Sequence, residues 1–149
     1  LGQSELWLVP AHFMHSEGNF HFYDRISKFL FTGDLGVSLV SGKEAGVAVT
    51  DLGPHIAKME GFHRRYMVSN KILRLWVRMA RQLEISMIVP QHGSPIKGPK
   101  AVADFLGWIE SLSCGVDLFD DRNYQLPTTI IDPQTLRAAP VLRAVGGGA

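Results

Sequence analysis

Phe29-Leu30-Phe31-Thr32-Gly33-Asp34-Leu35-Gly36 is the stretch on which the reading of this chain turns. Apolar residues run into a Thr-Gly turn, and a single carboxylate stands where the chain leaves the predicted sheet. A carboxylate at the end of a buried strand is costly unless a cation or hydrogen bonds compensate its charge. An Asp in this position also serves commonly as a turn residue or helix cap. Two other stretches shift the balance toward a ligand. Pro10-Ala11-His12-Phe13-Met14-His15-Ser16 and Pro90-Gln91-His92-Gly93 each carry a histidine just past a predicted strand.

Outward from that stretch, Glu5-Leu6-Trp7-Leu8-Val9 is an apolar run closed by Pro10 and reads as a strand. Asn19 to Tyr23 alternates aromatic and polar residues, and Asp24-Arg25 turns the chain into Ile26 to Phe31. This predicts a β-hairpin with Phe20 and Phe22 on one face and His21 on the other, away from any site. Val37 to Gly53 has no clear period and reads as a long loop with a short strand at most. Pro54 opens a helix running through Met59 toward Tyr66. Asn70 is placed to cap a second helix over 71–83, with Ile72, Trp76, Met79, Ala80 and Leu83 on its apolar face. Lys71, Arg74, Arg78 and Arg81 form its charged row, read as a solvated face with docking of an acidic partner as the alternative. Ile85 to Val89 is a further buried strand. Pro99 opens a helix in which Val102, Phe105, Leu106, Ile109 and Leu112 keep helical spacing. Beyond Asp117 the pattern fades into an extended arm, with Val145 to Ala149 as a flexible end. Strands alternating with helices make the chain α/β.

Composition narrows the classes. With 149 residues, 46% apolar and 19% charged, the chain is globular and core-rich. Net charge is +1, so no global field argues for nucleic acid or an anionic membrane surface. No apolar run approaches the ~20 residues of a spanning helix, and no signal peptide is visible. The single cysteine, Cys114, allows no internal disulfide and reads as a half-buried structural thiol. These features predict a cytoplasmic protein.

Strand ends of an α/β layer converge on one sheet edge, where sites are usually built. His12, Asp34 and His92 share that placement, and imidazoles with a carboxylate suit iron, zinc or manganese. A carboxylate can also bridge two cations. Three residues are too few to close such a two-metal site, so further ligands are expected from elsewhere.

His12-x-x-x-Ser16, Leu30-Phe31-Thr32-Gly33-Asp34 and Pro90-Gln91-His92-Gly93, in this order, resemble the C-terminal half of a metallo-β-lactamase αββα sandwich. The resemblance covers roughly residues 6–115. The aromatic residue after His12 and the polar His15 before Ser16 are similar to the flavodiiron proteins, closest to their shorter oxygen-binding diiron relatives. Phe62-His63-Arg64-Arg65-Tyr66-Met67 followed by Asn70, the helix carrying Trp76, and Pro90-Gln91 before His92 resemble the same group. The resemblance implies that His12 binds one iron, Asp34 bridges and His92 binds the other. His15 then stands where it could hydrogen-bond bound dioxygen or a solvent ligand, with a solvent-facing loop histidine as the plain alternative. Tyr66 and His63 could line the pocket, although a packing role explains both better. The implied function is to bind, and in a reductase to reduce, dioxygen or nitric oxide at two iron ions. Alternatives are a hydrolase with two zinc ions and a non-catalytic gas-sensing module.

The chain departs from that family in one respect. The first metal motif, a His-x-Glu/His-x-Asp cluster, has no match here, and His21-Phe22-Tyr23-Asp24 has neither its context nor its spacing. Residues 1–116 therefore read as the second half of a metal domain and 117–149 as a tail. The missing N-terminal half is expected as upstream sequence or a separate chain, across a large homo- or hetero-oligomeric interface, with a half-domain that dimerises and works without a full metal site as the less favoured alternative. No flavin phosphate loop follows Gly115, so a reductase would need an electron-donor protein.

Overall fold

The structure is a computed structural model and describes residues 2–44 and 46–126. It divides into a unit over Leu1–Phe119 and a second over Asp120–Ala149. The described part of the second unit contains one 3-10 turn, Asp121–Tyr124, capped by the Asp120 side chain. The predicted flexible end at Val145 to Ala149 lies outside the described residues.

The first unit is a mixed α/β fold around five strands in the order β1-β2-β3-β4-β5: Leu6–Pro10, Phe20–Asp24, Phe29–Gly33, Met87–Pro90 and Ile96–Lys97. β1–β2 and β2–β3 are antiparallel, β3–β4 parallel, and β4–β5 antiparallel. Helices α1 (Glu60–Tyr66), α2 (Asn70–Ala80) and α3 (Pro99–Ser111) complete the unit. α2 and α3 pack on each other, and their buried residues join a single core cluster with Val9, Tyr23, Leu30 and Ile88.

Period-2 alternation gives the sheet two faces. One cross-strand row runs Trp7, Tyr23, Leu30, Ile88, Ile96, of which the last four are buried. The opposite row runs Leu8, Phe22, Phe31, Val89. Leu6, Leu8, Phe20, Phe22 and Phe31 on this side are exposed, Leu8 to 63%. The hairpin alternation predicted for Phe20 to Phe22 is present, but the side facing the core is the one carrying His21.

Several local readings shift. The helix expected from Pro54 breaks in two: a 3-10 segment at Gly53–Lys58 precedes α1. Ser69, not Asn70, occupies the N-cap of α2. Asn70 instead donates from its side-chain amide to the carbonyls of Glu110 and Leu112, both at 2.9 Å, tying α2 to the end of α3. The buried face of α2 is Leu73, Trp76, Val77 and Ala80, rotated from the expected one so that Ile72 and Met79 are only half-buried. Lys71, Arg74, Arg78 and Arg81 are exposed, and Arg81 pairs with Glu110 at 2.8 Å. Cys114 is fully buried rather than half-buried, and burial with the nearby Asp117 pushes its thiol up to about 12.

Candidate metal centre

β1, β3 and β4 run in the same direction, because β2 is antiparallel to both of its neighbours and β4 is parallel to β3. Their C-terminal ends therefore share one sheet edge. His12 follows Pro10, Asp34 follows Gly33 and His92 follows Pro90 at that edge. The Gln91 amide donates to the Gly33 carbonyl at 2.7 Å, so the Asp34 and His92 loops leave the sheet from a shared root.

The His12 loop is held by short-range bonds. Met14 N–H donates to Ala11 O at 3.0 Å, and Phe13 N–H donates to Ser16 O at 2.8 Å. Met14, 1% exposed, anchors the loop in the core. Its two neighbours pay for that anchor in backbone strain: Phe13 and His15 adopt φ of 63° and 51°, a region non-glycine residues seldom enter. Both side chains are exposed as a result. The His12 ring meets the edge of Phe20 with centroids 5.0 Å apart. His15 stacks on Tyr66 at 5.2 Å with 7° between the planes, and Phe62 lies 6.1 Å away. His15 is thus an exposed ring held in place by aromatic neighbours.

The Asp34 turn is built from inside. Buried Thr32 donates from Oγ1 to Leu35 O at 2.5 Å, Leu35 N–H donates to Thr32 O at 3.0 Å, and Leu35 is fully buried. Asp34 itself is half-buried. His63 locks the far side of this turn. Its Nε2 accepts the Gly36 N–H at 2.8 Å, and Nδ1 lies 2.8 Å from the Met59 carbonyl. A carbonyl only accepts and an amide N–H only donates, so the ring is neutral with its proton on Nδ1. Burial lowers His63 to about 4, opposed by the Met59 carbonyl and by the negative charge of Asp34. From the sequence His63 reads as a packing residue that could line a pocket. Its bond to Gly36 is a long-range contact that no local spacing announces.

The His92 loop packs tightly against the segment following Asp34. A Cβ on Gly93, at φ 90°, would lie 2.6 Å from the Ser38 carbonyl oxygen, so only glycine permits this approach. Ser94 N–H then donates to Ser38 Oγ at 3.1 Å.

His12 and His92 are exposed and Asp34 half-exposed, all at one sheet edge. Among the described residues, however, no three His, Cys, Asp or Glu side chains group closely enough to hold a metal ion. The donor types fit a transition metal with nitrogen and oxygen ligands. Their number and spacing leave the set open toward solvent.

A family profile described as ODP family beta lactamase matches residues 1–93. The chain belongs to the ODP family. Among solved structures it is similar to the apo state of the chemotaxis sensor ODP from T. denticola, with 42% identity and a TM-score of 0.74. That match covers 82% of this chain and 49% of the other. A peroxy diiron species of the chemotaxis sensor ODP matches with the same identity and coverage, at a TM-score of 0.72. The flavodiiron protein from Giardia intestinalis shares the fold at 17% identity and a TM-score of 0.65, covering 73% of this chain and 27% of that one. No curated sequence matches the chain. The family carries the metallo-β-lactamase fold, and the chain spans about half the length of the ODP structures it resembles.

Proposed function

We propose that this chain is the C-terminal half of a diiron domain that senses dioxygen, with His12 on one iron, Asp34 bridging and His92 on the other. The carrying observation is the shared sheet edge at which three parallel-running strands end one or two residues before those side chains, within a chain 42% identical to the chemotaxis sensor ODP, whose structure is described as a peroxy diiron species.

When bound, the metals supply open coordination positions and the electrons that dioxygen binding draws on. The chain's own residues orient and enclose. His63 fixes Gly36 and with it the Asp34 turn. Gly93 lets the His92 loop close on Ser38. His15, held against Tyr66, stands ready to donate a hydrogen bond to a ligand at the edge, and exposed Phe13 offers an apolar wall against water. The remaining ligands come from an N-terminal half whose sheet covers the Leu8, Phe22, Phe31 face, packing sheet on sheet. Whether that half is the same polypeptide or another, the interface is large and apolar. In this reading residues 1–116 are the half-domain. Sensing requires no electron-donor protein, whereas a reductase would need one. No helix among the described residues is long and apolar enough to cross a membrane, and the free thiol of Cys114 suits the cytoplasm.

The test uses the native protein loaded anaerobically with ferrous iron. Exposure to dioxygen should raise an absorption band that disappears when the gas is removed, without steady oxygen consumption in the presence of an artificial donor. Sustained consumption would make the protein a reductase. Absence of any band, with zinc retained from cells, would remove the diiron reading. His12→Ala and His92→Ala should each lose the band while leaving the melting temperature of the protein nearly unchanged.

A further inference from the structure

Residues 40–44 and 47–49 run beside the 3-10 segment Gly53–Lys58 and border an open pocket of about 240 Å³, lined by Val40, Val47 and Val49, by Lys43 and Lys58, and by Glu44, His55 and Ser94 among others. Both ends of the bordering segment are pinned. Leu39 N–H donates to Lys58 O at 2.8 Å, while Val49 donates to Pro95 O at 2.7 Å and accepts from Lys97 N–H at 2.8 Å. Between these pins, Lys58 Nζ reaches both oxygens of Glu44 at 2.8 and 2.9 Å, and Ser94 Oγ donates to the Glu44 carbonyl at 3.1 Å.

His55 lines this pocket, is 8% exposed, and its buried Nε2 has no hydrogen-bond partner. A buried polar nitrogen left unpaired costs about 1–3 kcal/mol, so such an atom marks a place where a partner is missing. Two lysines against the single carboxylate of Glu44 give the lining an excess of positive charge, which selects an anion. The valine walls select against a fully hydrated inorganic ion and for a ligand with some apolar body. The volume lies below the roughly 300–1,000 Å³ of sites that take drug-sized molecules, so the occupant is small. Glu44 on Lys58 already displays the contact that a bound carboxylate would make.

We propose that this pocket binds a short-chain organic carboxylate, its carboxylate taken by Lys43, Lys58 and the His55 Nε2–H, and its apolar end laid against Val40, Val47 and Val49. The wall contributed by Ser94 belongs to the same loop as His92, and Ser94 N–H is bonded to Ser38. Occupancy therefore bears directly on the segment that carries one of the proposed metal ligands. The site itself stands independently of the diiron reading, since none of its residues is assigned to the metals.

The experiment is a titration of the native protein, stripped of metal, with butyrate, followed by the ring signals of His55 in nuclear magnetic resonance, with butyramide and inorganic phosphate as controls. Butyrate should shift the His55 ring saturably, and butyramide and phosphate should bind at least about tenfold more weakly. Lys43→Gln, at an exposed position that leaves the fold intact, should weaken butyrate about tenfold, the loss of one charge-assisted contact. His55→Phe, checked for an unchanged melting temperature, should abolish saturable binding read on the neighbouring Ser94 amide. A non-saturable response to butyrate, equal binding of butyramide or phosphate, or a Lys43→Gln affinity matching the parent would each overturn the site.

Discussion

On one face of the sheet, Tyr23, Leu30 and Ile88 are sealed beneath α2 and α3; on the other, Leu8, Phe22 and Phe31 stand in solvent although they are at least as apolar. A monomeric soluble fold rarely leaves such a row uncovered. Hydrophobicity alone did not choose the inner face. The packed side even includes His21, fully buried against Trp76 at 5.4 Å, with neither ring nitrogen hydrogen-bonded. A sheet that is apolar on both sides belongs to a layered fold in which helices cover one side and a second sheet the other.

Equal truncations on the two faces should have unequal costs. Leu30→Ala on the packed side should cost roughly 3 kcal/mol, as buried leucine truncations do. The check is the urea midpoint at constant slope. Acid should reveal the packed side next. Burial holds His21 at about 3 and His63 at about 4, both below the ordinary 6.5. Above pH 6.5 both are neutral whether folded or unfolded. As pH falls from 6.5 toward 4, and toward 3 for His21, the unfolded chain binds protons that the folded chain refuses, so stability is lost. The loss should approach roughly 3 kcal/mol for His63 and roughly 5 kcal/mol for His21, read from unfolding curves at stepped pH, and His21→Leu should flatten the profile.

Gly93→Ala should cost about 2 kcal/mol, because both φ 90° and the Ser38 carbonyl oppose a Cβ. It should also weaken metal binding by displacing His92. The smallest effect belongs to the bare face. Phe22→Ala should move the stability of the chain alone by less than about 1 kcal/mol. The same change should sharply weaken association with the proposed N-terminal half, measured by sedimentation of the assembled protein. Equal costs for Leu30→Ala and Phe22→Ala in the isolated chain would mean that the two faces are not different after all.

Much of this arrangement is legible in the sequence. The strands announce themselves by alternation closed with Pro10, Gly33 and Pro90, and the three ligand-type residues follow those closures. The orientation of the hairpin is not legible, because Phe20-His21-Phe22 offers two defensible faces and only the packing of α2, through Trp76, decides between them. The rotation of α2 arises similarly: Leu73 and Val77 win burial over Ile72 and Met79 once Asn70 is tied to Glu110 and Leu112. His63 looks like any helical histidine until Gly36 is brought against it. The sharing of metals by His12, Asp34 and His92 is not legible from local pattern, because the set they would complete requires further ligands that the described residues do not group with them.

The most direct test of the central claim is a combined metal and mass analysis of the native protein. A diiron stoichiometry for each set of His12, Asp34 and His92, together with a longer chain or a second polypeptide covering the Phe22 and Phe31 face, is the predicted result. Zinc in place of iron, or a metal-free species of this chain alone that stays monomeric with that face bare, would contradict it.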